Sequence, residues 1–312
     1  MTLLIGMDVG GTSSRAMVAD LSGRVVGTGL ASGGNPVSRG LGPAMAAIRA
    51  ALEQALDGLP RGDVAGNVVG AAGFGAGSAH AALAELWREL GLPGGPVVAG
   101  DIEVAFASGT DALDGSVLVS GTGAIAGEFV GGRQRRVADG VGWLLGDHGS
   151  GFWVGREAVR HALSTRRDPD DPLAAAVAKA LTGRDEVDRQ ALIDASYGAP
   201  PVRLSELARL VVTAADGGSA PATAILDAAA EELLGILHGV RDPGDTSVVV
   251  LGGGLLGTAI LQSAVRERIA RSWPGSPVTT CGSGVGGALW LAARGLRVEL
   301  PDGLHAALTT TA

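Results

Sequence analysis

A pattern that occurs twice constrains this chain more than any other feature. In its first copy the apolar run Leu3-Leu4-Ile5-Gly6-Met7 leads into Asp8-Val9-Gly10-Gly11-Thr12-Ser13-Ser14, and a second apolar run, Ala16-Met17-Val18-Ala19, follows. This reads as strand, tight turn, strand. The turn Ser22-Gly23-Arg24 then joins a third strand at 25–31. In the second copy, strands at 116–120, 124–130 and 134–138 are joined by Gly121-Thr122-Gly123 and Gly131-Gly132-Arg133. Thr12 and Arg24 are twelve positions apart, and Thr122 and Arg133 eleven. A repeated unit of this kind points to a duplicated architecture. The rest of the chain alternates helices and strands, so the class is α/β with two similar halves.

In the first half the pattern predicts helices at about 42–56, 78–90 and 104–112, and strands at 68–72 and 97–99. Helices dominate 150–239, with breaks at Asp168-Pro169 and 198–201. Strands at 247–251 and 278–281 alternate with helices at 257–273 and 286–294, and the tail 309–312 carries no pattern and is expected to fray. The division is a first lobe at 1–114 and a second at 115–312, with the last helix packing on the other lobe.

Composition narrows the function classes. The 312 residues suffice for two ordinary domains, and 46% are hydrophobic, so a substantial core can form. No run of eighteen apolar residues exists, and the first residues lack the charged start of a signal peptide. A cytoplasmic protein without a membrane partner is the expectation. The net charge of −8 argues against nucleic acid. The single cysteine, Cys281, excludes an intramolecular disulfide framework and a CxxC metal site. Lys179 is the only lysine and sits in a helical context, so a GxxxxGK[ST] phosphate loop is impossible.

The glycine turns carry the chemistry. Glycines let backbone N–H groups approach an anion, and hydroxyls add donors. Gly10, Gly11, Thr12 and Ser13 in one hairpin and Gly121, Thr122 and Gly123 in the other could grip one polyphosphate from both sides. Each is equally compatible with an ordinary hairpin turn. A carboxylate beside phosphates, here Asp8, usually handles Mg²⁺. Gly252, Gly253 and Gly254 follow a buried strand; with Gly257 they also fit GxGxxG, but no acidic residue ends a strand where a dinucleotide fold needs one, so a platform for adenine or ribose suits them better. Asp101 follows the strand at 97–99, where a carboxylate can accept a proton from an attacking hydroxyl or cap the next helix. Asn35 suits hydroxyl recognition or an X-Pro turn. Asp139-Gly140-Val141-Gly142-Trp143 and Gly146-Asp147-His148 form a glycine-flexed loop before Ser150, a candidate helix cap. His148 reads as a hydrogen-bonded structural group more readily than as an acid or base. Arg133, Arg135 and Arg136 read as a solvated hairpin.

Together these residues resemble the N-acetylglucosamine kinase/BadF-type ATPase family, within the actin–hexokinase–Hsp70 superfamily. The resemblance covers nearly the whole chain. Asp8–Thr12 is similar to a first phosphate motif, 120–124 to a second, and 252–254 to an adenosine motif. The most specific stretch is Gly142-Trp143-Leu144-Leu145-Gly146-Asp147-His148-Gly149-Ser150-Gly151-Phe152-Trp153, which resembles GWLLGDEGSG(F/Y)W. Two positions depart from the pattern: Val141 stands where a tryptophan is common in the sugar-binding loop, and His148 replaces the usual glutamate.

The resemblance implies a two-lobed actin/hexokinase-like ATPase fold, each lobe a mixed sheet with flanking helices in a ribonuclease H-like duplication. It implies an ATP-dependent amino-sugar kinase using Mg²⁺, a homodimer, with N-acetylglucosamine phosphorylated at its 6-hydroxyl. Asp101 becomes the catalytic base. Asn35, Asp101, Gly140, Val141 and Asp147 become the sugar site, and Asp8 positions the metal through water. Glucosamine, or another hexosamine or hexose, is an alternative acceptor. The family's other branch, ATPase activators of dehydratases, holds an iron–sulfur cluster with two cysteines per subunit, which Cys281 alone cannot supply. A non-catalytic sugar sensor is a third reading, but no helix-turn-helix precedes the first strand.

Overall fold

The structure is a computed structural model and describes residues 1–71, 74, 77–165, 171–185 and 187–310. The chain forms two compact units, Met1–Ala112 with Thr280–Ala312, and Leu113–Thr279.

The first unit is built on a five-stranded sheet of order β3-β2-β1-β4-β5. Its strands are β1 (Leu3–Val9), β2 (Ser13–Asp20), β3 (Val25–Ser32), β4 (Val64–Ala71) and β5 (Val98–Ala99). β1, β2 and β3 form an antiparallel meander, and β4 adds parallel to β1. The Gly10–Thr12 turn is therefore a hairpin between paired strands, with Val9 opposite Ser14. Its helices are α1 (Pro36–Arg39), α2 (Leu41–Ala55), α3 (Ser78–Glu89) and α4 (Asp101–Gly109).

The second unit repeats the plan with order β10-β9-β6-β7-β8. Here β6 (Gly115–Ser120), β7 (Ala124–Val130) and β8 (Arg133–Asp139) form the meander, and β9 (Val248–Gly252) lies parallel to β6, with β10 (Val278–Thr280) beyond it. First, second and third strands occupy the same places in both sheets, which is the expected duplication. Between β8 and β9 the chain inserts α5 (Gly151–Ser164), α6 (Pro172–Thr182), α7 (Arg189–Tyr197), α8 (Ala208–Asp216) and α9 (Ala220–His238), with a 3₁₀ helix at Pro201–Leu207. α10 (Ala259–Ser272) joins β9 to β10.

The last two helices, α11 (Gly284–Gly295) and α12 (Leu304–Thr309), belong to the first unit. The division at 114/115 thus gains a crossing segment. Its cause is apolar: Val285, Ala288, Leu289, Trp290 and Leu308 complete a core with Leu4, Met17, Val68 and Val104. At about 2 kcal/mol for each large apolar side chain buried, this face is a major part of the unit's stability. The approach is close enough that a Cβ on Gly6 would stand 2.7 Å from Leu289 Cγ.

Several expected boundaries move. β4 begins at Val64, four residues earlier than expected, and Ala72, its expected end, lies outside the described residues. α4 begins at Asp101 and not at 104, and α10 at Ala259 and not at 257. The break at Asp168-Pro169 also lies outside the described residues, whereas that at 198–201 separates α7 from the 3₁₀ helix. The tail is not simply frayed: Thr309 is buried at the end of α12, and its carbonyl accepts the Ser283 N–H at 3.0 Å; 311–312 lie outside the described residues. Arg136 is not merely solvated, because it pairs with Glu128 and Asp242.

Candidate functional site

The two hairpins share one electrostatic construction. In the first, Gly10 N–H donates to Ser13 O at 2.9 Å, while Gly10 O accepts from the Gly34 and Asn35 N–H groups at 3.1 and 3.3 Å. Arg39 Nε donates to Gly11 O at 3.2 Å. In the second, Gly121 N–H donates to Gly123 O at 2.9 Å, and the first turn of α5 supplies Gly151 and Phe152 N–H groups to Gly121 O and Thr122 O at 2.7 and 3.1 Å. The turn carbonyls are engaged by protein donors. The N–H groups of Gly11 and Thr12, and of Thr122 and Gly123, have no acceptor among the described residues. Gly11, Thr12 and Thr122 are exposed. Unengaged donors on a glycine turn, with its carbonyls tied back, favour an anion.

Behind the second hairpin lies a cleft of about 560 Å³ within the second unit. Gly121, Thr122, Gly151, Gly254, Leu255 and Thr258 line one part, and Ser205, Ala208, Arg209, Val212 and Thr213 from the 3₁₀ helix and α8 another. Its volume and mixture of apolar and hydroxyl groups suit a nucleoside. The three glycines expected to form a platform divide their work. Gly254 lines the cleft. Gly252 is buried at the end of β9. Gly253 has φ +93° and lies so close to the end of β6 that a Cβ there would stand 2.3 Å from Ser120 O. Neither Gly252 nor Gly253 lines the cleft; they set the turn that presents Gly254.

In the first unit, Asp8 ends the apolar part of β1 half-buried. Burial pushes its carboxyl above the ordinary value; Arg15 opposes this and the negative charge of Asp101 adds to it. Two neighbouring carboxylates, one partly desolvated, are a donor set that a hard cation relieves. Asp101 is the first residue of α4, so the helix-capping reading can be tested directly. Gly100 occupies the cap position, and Glu103 Oε2 accepts its N–H at 2.6 Å. Glu103 therefore does the capping, and Asp101 stays exposed, its Oδ1 accepting only the adjacent Ile102 N–H at 3.0 Å among the described residues. Asn35 lies beside the first hairpin, and its Oδ1 accepts the Val37 and Ser38 N–H groups at 2.9 and 3.4 Å as the cap of α1.

The loop after β8 is organised by carboxylate and backbone bonds. Asp139 Oδ1 accepts the Asp147 N–H at 2.7 Å, and Oδ2 accepts the His148 N–H at 3.1 Å and meets His148 Nδ1 at 3.3 Å. Burial raises the Asp139 carboxyl, but these N–H donors outweigh it and hold the group below its ordinary value. Asp147 is not an exposed ligand: it is 9% exposed, and its Oδ1 accepts the Ala124 N–H at 3.0 Å. Burial pushes its carboxyl up. Gly140 N–H donates to Ala124 O at 2.9 Å, so both ends of the loop close on Ala124, the first residue after the second hairpin. Val141 projects from this loop at 58% exposure. Ser150 caps α5 as expected, accepting the Trp153 N–H at 3.2 Å.

Sequence reasoning missed Asp139, Arg209 and the Gly151–Phe152 staple. Asp139 was legible in part, because Asp beside Gly is a usual sign of left-handed backbone. Arg209 carried no local signal.

Two mixed sheets of one strand order, each with a glycine-hydroxyl hairpin after its first strand, define the actin-like ATPase class of fold. The chain belongs to the BadF/BadG/BcrA/BcrD ATPase family, whose model matches residues 5–292. It is 32% identical over 156 residues to an N-acetylmuramic acid/N-acetylglucosamine kinase of Clostridium acetobutylicum, covering 48% of this chain and 50% of that one. It is 29% identical over 205 residues to an N-acetyl-D-glucosamine kinase of Dictyostelium discoideum, covering 61% and 63%. The chain therefore spans between half and two thirds of the length of these curated relatives. A solved structure from Chromobacterium violaceum, whose own assignment as an N-acetylglucosamine kinase is provisional, superposes with a TM-score of 0.72 at 26% identity, over 94% of this chain and 99% of that one.

Proposed function

We propose that this protein is an ATP-dependent sugar kinase that phosphorylates the 6-hydroxyl of N-acetylglucosamine. The observation that carries the reading is the freed carboxylate of Asp101: Glu103 has taken over the cap, leaving an exposed base at the carboxyl end of β5. A general base at that place accepts the proton of an attacking hydroxyl.

The other residues divide the remaining tasks. The nucleoside occupies the cleft beside Gly254 and Arg209. Each unit offers its own phosphate donors, the Gly11 and Thr12 N–H groups with the Thr12 and Ser13 hydroxyls in the first, and the Thr122 and Gly123 N–H groups with the Thr122 hydroxyl in the second, suited to stabilising charge on a transferring group. Asp8 would help hold Mg²⁺, which when bound would neutralise phosphate charge. Asp101 orients the sugar hydroxyl and takes its proton as the oxygen–phosphorus bond forms and ADP leaves. Asn35 in the first unit, and Gly140, Val141 and Asp147 in the second, are the residues proposed to contact the sugar, Asp147 from its buried position at the second hairpin. Glucosamine, or another hexosamine or hexose, is the alternative acceptor.

Among the described residues no helix is long and apolar enough to cross a membrane. A cytoplasmic homodimer acting on a free sugar and ATP is the setting that the family suggests. The iron–sulfur activator reading is disfavoured by Cys281, whose thiol burial pushes to about 11, against the thiolate that iron needs.

The test is ADP release measured with a panel of sugars. N-acetylglucosamine should give the highest kcat/KM. A panel in which no sugar stimulates ADP release would remove the kinase assignment.

A further inference from the structure

Three non-glycine residues among those described adopt left-handed backbone: Asp139 at φ +61°, Asp147 at +58° and Arg297. Two of the three are partners in one bond. Residues in such conformations persist where their surroundings hold them, and they gather at functional sites. Here the holding groups are visible. Asp139, with a side chain 7% exposed, closes the loop by accepting the Asp147 and His148 N–H groups on separate oxygens. Asp147 then reaches back to the Ala124 N–H, while Gly140 N–H takes the Ala124 carbonyl. The backbone of Ala124 is thus gripped on both sides by the two ends of one loop. Ala124 directly follows Gly123, a donor of the second hairpin.

We propose that Asp139 is a positioning residue that locks the 140–146 loop and the Asp147 carboxylate in register with the Gly121–Gly123 hairpin. This rests on the kinase reading given above. Asp139 itself touches neither substrate. Its carboxylate fixes where Asp147 and Val141 stand for the sugar, and through Ala124 the same bonds fix the hairpin that takes the phosphates. Sugar recognition and phosphate placement are then set by one clamp, so loosening it disturbs both. The nucleoside cleft shares Gly121 and Thr122 with that hairpin, but its other walls are α8 and the Gly254 turn, so it depends on the clamp only in part.

Two variants separate the clamp from the backbone conformation. Asp139→Gly keeps the left-handed backbone and removes the clamp; Asp139→Asn keeps the shape and one acceptor oxygen but meets the His148 N–H with an amide. With a charge-assisted hydrogen bond lost, the glycine variant should raise the sugar KM about tenfold and lower kcat about tenfold. Its nucleotide dissociation constant should rise by no more than about threefold, because the hairpin is only one wall of the cleft. Asp139→Asn should fall between the two. Hydrogen exchange at the Asp147 amide should speed up in the same order. A wild type without sugar-stimulated turnover would fail the kinase reading itself. A wild type that turns over, with both variants matching its sugar KM and kcat, would overturn the Asp139 assignment alone. So would variants that lose nucleotide affinity in proportion to turnover. If the glycine variant does not fold, the asparagine variant decides by the same criteria.

Discussion

At the scale of single residues, Asp8 carries a cost that the role proposed for it would explain. Burial raises its carboxyl, and Asp101 adds to the rise. A carboxyl with a raised pKa in the folded state binds protons more readily there than when unfolded. Its ionised form therefore destabilises the fold at neutral pH, and the penalty disappears below the unfolded value of 3.8. Asp8→Asn imitates the protonated form. It should raise Tm at pH 7, and thermal melts across pH should show the gain shrinking to nothing near pH 3. Sugar phosphorylation by the same variant should fall sharply, since the proposed metal would lose its carboxylate. A lower Tm at pH 7 would contradict the stated cause. Arg209 belongs to the same scale. Among the described residues it is the only charged side chain lining the cleft proposed for the nucleoside. Arg209→Ala should raise the KM for ATP by roughly 5- to 30-fold, the effect of about 1–2 kcal/mol from a guanidinium on a base or ribose, while leaving the sugar KM near wild type.

At the scale of elements, the glycine turns do their work by geometry. Gly253→Ala places a Cβ 2.3 Å from Ser120 O at a φ of +93°. The variant should lose about 2 kcal/mol or more in denaturant unfolding, from strain and displaced packing together, and should bind ATP more weakly. The elements also show how much of the structure was legible in advance. The two meanders were, because alternating apolar runs between glycine turns admit few other readings. The start of α4 was not: Asp-Ile-Glu at 101–103 lacks an apolar stripe, and only the Glu103 side chain reaching back to Gly100 reveals that the helix has begun. α1 and α12 are too short to show a period, and α12 is held by tertiary contacts with α11. At the candidate site, residue types were legible and their division of labour was not. Nothing local in Gly252-Gly253-Gly254 tells which glycine faces a ligand, and nothing in Gly146-Asp147-His148 tells that Asp147 is buried on Ala124.

At the scale of the whole molecule, the chain returns to its first unit after completing the second. The face of the first sheet carrying Leu4, Met17 and Val68 is covered by α11 and α12. Among the described residues, the second unit's core cluster, with the side chains packed against it, comes from 118–278, all within the unit itself. A fragment of 113–279 should fold cooperatively by circular dichroism and denaturant melting. A fragment of 1–112 should not, but should become folded when 280–312 is joined to it by a short linker. A stable 1–112 fragment would show that α11 contributes less than its buried apolar area implies.

The central claim is that Asp101 serves as the base for sugar phosphorylation. It is tested by measuring ADP and phosphorylated N-acetylglucosamine together in single samples of wild type and Asp101→Asn. The wild type should form the two products one for one. The variant should keep its ATP affinity and form both about 10²- to 10⁴-fold more slowly, the range for losing general-base help. Near-normal product formation by Asp101→Asn, or ADP formed by the wild type without phosphorylated sugar, would contradict the account.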